Sequence, residues 1–207
     1  MTAIIDYGVG NLFSLLSSFE KIGERAVITS NPQDLINADR IVLPGVGAFA
    51  DAAQKLQGSG LVDTLLSEIK KGKPVLGICL GMQLLFDKSF EYGEYAGLGL
   101  IDGEVRPISD YVKDLKIPHM GWNALHFCGG KHPLFKYINE GDFVYFVHSY
   151  FATNCNQSLI AFSEYGAQIT AAVANKNVMG CQFHPEKSGD VGLNILKSFC
   201  EMKEGAL

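Results

Sequence analysis

The chain has 207 residues, of which 47 % are hydrophobic and 19 % charged, with a formal net charge of −5 at pH 7. That length suits one α/β domain with an excursion and a core that needs no covalent staple. The acidic balance and the lack of grouped Lys and Arg exclude a nucleic-acid partner, no apolar stretch approaches the roughly 20 residues of a membrane helix, and the start MTAIIDYGVG has no positive n-region, so a cytoplasmic location is expected.

The opening TAIIDYG reads as a buried strand ending in a turn. NLFSLLSSFEKIG follows as a helix, with Leu12, Leu15, Leu16 and Phe19 at helical spacing and Gly23 as its stop. RAVITS and RIVLPGVG are two further strands, LVDTLLSEIKKGK is an amphipathic helix, and PVLGI is the next strand, continued by LGMQLLF as helix. Alternation at this spacing predicts an α/β fold, a doubly wound, mostly parallel sheet with helices on both faces. From Gly93 to Asn139 the glycines, prolines and short strand-like pieces predict a β-rich excursion rather than a second domain. Beyond it come DFVYFVHSYFA, LIAFSEYG, a hairpin through ANKN and a closing helix GLNILKSFCEMK.

Five cysteines, Cys79, Cys128, Cys155, Cys181 and Cys200, lie far apart without a C-x-x-C, so neither a disulfide framework nor a metal site is expected. Cys79 differs from the others in context. Gly77-Ile78-Cys79-Leu80-Gly81 has the pattern of a nucleophile held on a sharp strand-to-helix turn, where flanking glycines remove Cβ atoms that would clash. The backbone N–H of Leu80 then faces a developing oxyanion. A thiol nucleophile needs a base, and the base needs an orienting group. CQFHPEKS supplies both as His184 and Glu186. His119, His126 and His132 fall in the excursion, and His148, alone in an apolar strand, reads as a structural residue. The glycines of LPGVGAF make the Val46-Gly47 peptide a candidate oxyanion donor. The same loop fits G-x-G-x-x-A, but the acid that a dinucleotide site needs about 20 residues on is absent.

Together IIDYGVGNLFS, LPGVGAF, GICLGMQLLF, HMGWN, YFVHSYF and QFHPEKS resemble the class I (triad) glutamine amidotransferases, from the first strand to the last helix, and within them the branch of glutaminase subunits serving imidazole glycerol phosphate synthesis. The resemblance implies a single type-1 amidotransferase domain over residues 1–207 that uses no cofactor. It implies that Cys79 attacks glutamine, with His184 as base and then acid and Glu186 orienting it. Gly47, Leu80, Gln83, Ser149 and Tyr150 bind the substrate, and Val46, Gly47 and Leu80 form the oxyanion hole after the loop peptide rotates. Ammonia passes to a cyclase subunit resembling a (β/α)8 barrel, in a heterodimer whose docking face includes Asn11, Trp122, Tyr145 and Lys187. Other readings of the residues are an amidotransferase-like binding protein without turnover, a different cysteine hydrolase such as a peptidase, and a paralogue supplying ammonia to a surface-sugar pathway.

Overall fold

The computed structural model describes residues 1–202. Strands and helices alternate through its first half: β1 (Thr2–Ile5), α1 (Leu12–Lys21), β2 (Ala26–Thr29), α2 (Pro32–Asn37), β3 (Arg40–Leu43), α3 (Phe49–Gly58), α4 (Val62–Lys70), β4 (Val75–Ile78) and a single turn α5 (Leu80–Gln83). Then come β5 (Phe86–Ser89), β6 (Tyr95–Ala96), β7 (Ile101–Pro107), β8 (His119–Ala124), β9 (His126–Phe127), β10 (Phe143–His148), β11 (Tyr150–Thr153), β12 (Leu159–Glu164), β13 (Gln168–Asn175), β14 (Val178–Cys181) and α6 (Gly189–Cys200).

The eight-stranded main sheet has the order β2-β1-β3-β4-β14-β13-β12-β9. Its first five strands are parallel, and the last three add antiparallel. Every residue of β1, β3, β4 and β14 is buried, as expected of parallel strands covered on both faces. One face packs Leu15 and Phe19 of α1 with Ile195, Leu196 and Phe199 of α6, and the other packs Leu35, Leu56 and Leu65 from α2, α3 and α4. The apolar stripe read from α1 is the face it buries. The ANKN hairpin joins β13 to β14, with Lys176 taking the left-handed turn position at φ 51°.

Two expectations change. The helix after Cys79 lasts one turn, because the carbonyls of Leu84 and Leu85 accept hydrogen bonds from Leu98, Leu100 and Ile101, which draws the chain into β5. The β-rich excursion is also wider than 93–139. It begins at β5 and recruits YFVHSYF: β11-β7-β5-β6 form one small sheet, and β10 pairs with β8 in a two-stranded ribbon. β9 joins the edge of the main sheet instead. The topology sets β3, β4 and β14 side by side, so the loop after β3, the turn after β4 and the segment after β14 meet at one carboxyl edge.

Candidate active site

Cys79 follows β4 with φ 53° and ψ −111°, a left-handed conformation that L-residues rarely adopt. The turn holds through Cys79 N donating to the Cys181 carbonyl at 2.8 Å and Gln83 N donating to the Cys79 carbonyl at 3.1 Å. The glycines around it are obligatory. A Cβ at Gly81 would lie 1.9 Å from the Leu43 carbonyl oxygen, and one at Gly77 would lie 2.7 Å from the Gly81 oxygen. Gly45 approaches as closely from the neighbouring loop, 2.7 Å from its Cβ position to Gly81 N. The Tyr7 hydroxyl, pushed up by burial and by the nearby Cys79 sulfur, donates to the Pro44 carbonyl at 2.7 Å and fixes the base of that loop.

His184 leaves β14 fully buried, its Nδ1 2.8 Å from Glu186 Oε1. Pro185 begins a 3-10 turn, Pro185–Lys187, that swings the carboxylate back toward the ring. Burial alone would lower the imidazole pKa. The neighbouring Cys79 sulfur and the hydrogen-bonded Glu186 carboxylate override it and raise the value to about 9. Glu186 Oε2 is buried without a hydrogen-bond partner among the described residues, so the carboxylate keeps its full pull on His184. The backbone of the base is clamped to the ribbon. His184 N donates to the Tyr145 carbonyl at 2.9 Å, and Ser188 Oγ donates to the His184 carbonyl while accepting from Tyr145 N.

These groups open on a cavity of about 400 Å³. Val46, Gly47, Cys79, Leu80, Gln83, Ser149, Tyr150 and His184 all line it, so the nucleophile, base, oxyanion and substrate-contact positions named from sequence come together. Lys187, expected on the docking face, also reaches its rim. Asn11 stands at the start of α1 without a side-chain capping bond, and α1 packs against the 185–187 turn. Trp122 and Tyr145 stand outside the cavity on the ribbon, their rings 5.9 Å apart, with Lys187 Nζ 6.0 Å from the Tyr145 ring. Among the described residues no group of three or more His, Cys, Asp or Glu could hold a metal ion.

Three lining or adjoining residues were missed. Glu91 lines the cavity, with Oε2 accepting from Phe49 N at 2.6 Å and its carboxyl pKa raised by burial. Gln182 accepts from Gln83 Nε2 at 3.0 Å and places Nε2 3.6 Å from Cys79 Sγ. Its place two residues before His184, in the segment that follows β14, was the one signal in the sequence. His148, read as merely structural, is hydrogen-bonded as such a residue should be, yet it also forms part of the cavity wall.

A cysteine on a strained turn, a histidine set by a carboxylate and a glycine loop beside both define a triad thiol hydrolase built on a doubly wound sheet. Comparison of the whole chain narrows that class. The chain belongs to the class-I glutamine amidotransferases, since the family model described as Glutamine amidotransferase class-I matches residues 3–202. It is 48 % identical over 205 residues to "Imidazole glycerol phosphate synthase subunit HisH" of Wolinella succinogenes, covering 98 % of this chain and 100 % of the relative. The protein of the same name from Geobacter sulfurreducens is 48 % identical over 206 residues, covering 97 % and 98 %. Among solved structures the fold matches "Crystal structure of glutamine amidotransferase" with a TM-score of 0.73 at 16 % identity, covering 96 % of this chain and 98 % of that one. It also matches "Structure of PurLQS from Thermotoga maritima" with a TM-score of 0.72 at 19 % identity, covering 96 % of each.

Proposed function

We propose that the chain is the glutaminase subunit of an imidazole glycerol phosphate synthase, hydrolysing glutamine to glutamate and ammonia and passing the ammonia to a cyclase subunit in histidine biosynthesis. The observation that carries the reading is Cys79 on its strained turn beside a buried His184 whose Nδ1 lies 2.8 Å from Glu186.

In the reaction the Cys79 sulfur, its proton held by His184, attacks the carboxamide carbon of glutamine. Leu80 N–H and the rotated Val46-Gly47 peptide take the oxyanion. The imidazolium returns its proton to the departing nitrogen and ammonia leaves a γ-glutamyl thioester. His184 then removes a proton from water, the hydroxide adds to the thioester, and glutamate departs with the sulfur regenerated. Gln83, Ser149 and Tyr150 hold the substrate, and the Glu91 carboxylate on the same wall suits its α-ammonium group.

The partner reading draws on the ribbon. Cross-strand pairs Tyr145↔Trp122 and Val147↔Met120 share its outer face, on which Met120 is 59 %, Trp122 51 % and Phe143 55 % exposed. An exposed aromatic patch with one methionine beside the cavity mouth is the chemistry of a protein interface. It supports Trp122, Tyr145, Lys187 and Asn11 as the seat of a barrel-shaped cyclase. The test is glutamine hydrolysis by the wild-type chain and by Cys79→Ala, each with and without the cyclase and its phosphoribosyl ligand. The wild type alone should be slow and strongly stimulated by the complex, and Cys79→Ala should be silent throughout. Turnover by Cys79→Ala, or equal wild-type rates with and without the cyclase, would overturn the reading.

A further inference from the structure

The glutamine cavity and the exposed ribbon share a wall, and side chains with no part in the chemistry above run through it. His148 is buried in that wall, Nδ1 2.8 Å from the Tyr150 carbonyl and Nε2 3.0 Å from His119 Nδ1. His119 is wholly buried between Phe146 and Tyr165, with ring centroids 4.8 and 4.0 Å away. Its Nε2 lies 2.9 Å from Asn123 Oδ1, and Asn123 Nδ2 lies 3.0 Å from the Glu164 carbonyl. On the cavity side the Tyr150 carbonyl also accepts from Gln83 Nε2 at 3.0 Å. Gln83 Nε2 donates in turn to Gln182, whose Nε2 reaches Cys79 Sγ. The chain of contacts is unbroken from the ribbon to the nucleophile.

Its direction follows from the donors available. A carbonyl only accepts, so His148 carries its proton on Nδ1 and offers Nε2 to the Nδ1–H of His119. Burial pushes both rings down, His148 to about 3 with the His119 and His184 imidazoles adding to the effect, so at neutral pH each ring holds one proton. That leaves a lone pair on His119 Nε2. A half-turn of the Asn123 amide meets it with an N–H, at the cost of the Nδ2 bond to the Glu164 carbonyl, which Oδ1 would then face. Every histidine bond then donates toward the cavity.

Strand alternation ties this chain to docking. In β8 and β10 the outer face carries Met120, Trp122 and Tyr145, while the inner face carries His119, Asn123 and His148. Any movement of the ribbon under a partner moves His119 with it. We propose that His119 and His148 are positioning residues for glutamine hydrolysis: through them the ribbon sets the Tyr150 carbonyl, Gln83 and the Cys79 sulfur, so that a partner seated on Trp122 and Tyr145 orders the substrate wall from behind. The proposal rests on the glutaminase reading above.

The test uses the full chain, alone and with the cyclase, in wild-type form and as His119→Phe, His148→Phe and the double variant. Phenylalanine keeps an aromatic ring in the stack, larger by one ring atom, and removes the nitrogens. Each single variant should raise the KM for glutamine and cut the partner's stimulation of kcat, both by about tenfold, a typical coupling between linked sites. Because the two act in series, the double variant should lose no more than the worse single. KM and stimulation within twofold of wild type in folded singles, or losses that multiply in the double, would overturn the proposal. If these substitutions unfold the chain, Asn123→Ala at the half-buried outer end takes their place, with a KM raised about threefold expected from one lost link and an unchanged KM counting against the wiring. Imidazole 15N spectra of the wild type should show both rings protonated on Nδ1, and a proton on Nε2 of His148 would refute the donor order. A wild type as silent as Cys79→Ala would strike the glutaminase reading, and the spectra would still decide the wiring.

Discussion

Replacing Glu186 by glutamine isolates what the carboxylate contributes to the base. His184 is lowered by burial and raised past it by Cys79 and Glu186, ending near pH 9 against an ordinary 6.5. That net rise corresponds to about 3 kcal/mol in favour of the imidazolium. Glutamine in place of the carboxylate removes one of the two groups that hold the value up, a loss on the order of 1–2 kcal/mol or about one pH unit. The sign follows from the chemistry. The imidazolium is the acid that protonates departing ammonia, so activity is present below the raised value and is lost as pH rises through about 9. In Glu186→Gln that falling limb should move down to roughly pH 8. The amide oxygen still accepts from Nδ1–H and keeps the tautomer, so kcat/KM at pH 7 should fall only ~10–100-fold, well short of the loss when a triad carboxylate's removal costs the tautomer. The assay is kcat/KM for glutamine from pH 6 to 10 in the complex. A limb still near 9 with kcat/KM within about threefold of wild type would refute the role of Glu186.

Gly81→Ala drives a methyl group to 1.9 Å from the Leu43 carbonyl and should cost about 3 kcal/mol or more in chemical denaturation; a wild-type midpoint would contradict the close packing of the turn against β3. Glu91→Gln keeps an acceptor for Phe49 N but removes the charge facing the cavity, so the KM for glutamine should rise about tenfold with kcat nearly unchanged, and an unaltered KM would remove Glu91 from substrate recognition. Trp122→Ala should weaken cyclase binding about 10–100-fold by calorimetry while leaving hydrolysis by the free chain as it was, and unchanged affinity would move the interface off the ribbon.

The parts of the site legible in the sequence are those where chemistry forces a backbone requirement. Gly77 and Gly81 announce Cys79 because the turn admits no Cβ at either place, and Pro185 marks how Glu186 returns to His184. The parallel strands were legible because burial on both faces leaves runs with no polar interruption. The length of α5 was not. LGMQLLF is helical in composition, and only carbonyls captured by residues 98–101 end it, a long-range effect that local pattern does not carry. Glu91 was hidden for the same reason, since nothing near it in sequence shows that the connection between β5 and β6 brings it to the cavity. His148 misled because apolar neighbours in a strand argue burial, and it is buried. What the pattern could not show is that the buried side faces the substrate.

Gly47 offers a test of the loop in which sterics and strain separate. Its φ is +94°, yet a Cβ there would meet nothing within 4 Å, so Gly47→Ala is opposed by the backbone angle alone. Turning the Val46-Gly47 peptide over rotates φ of residue 47 by about half a circle, into the negative range that alanine prefers. Alanine therefore disfavours the present orientation by ~1–2 kcal/mol and leaves the turned one unstrained. That difference shifts the balance about 5–30-fold toward the turned peptide. If turning brings the Gly47 N–H to the oxyanion, hydrolysis by the free chain should rise by that factor, while the partner-stimulated rate, already in the turned state, changes little. The measurement is initial glutamine hydrolysis with and without the cyclase, alongside a melting curve to show that the variant folds. A folded Gly47→Ala that is slower than wild type on its own would mean the present peptide orientation is the donating one, and the loop would then be a fixed part of the oxyanion hole rather than its gate.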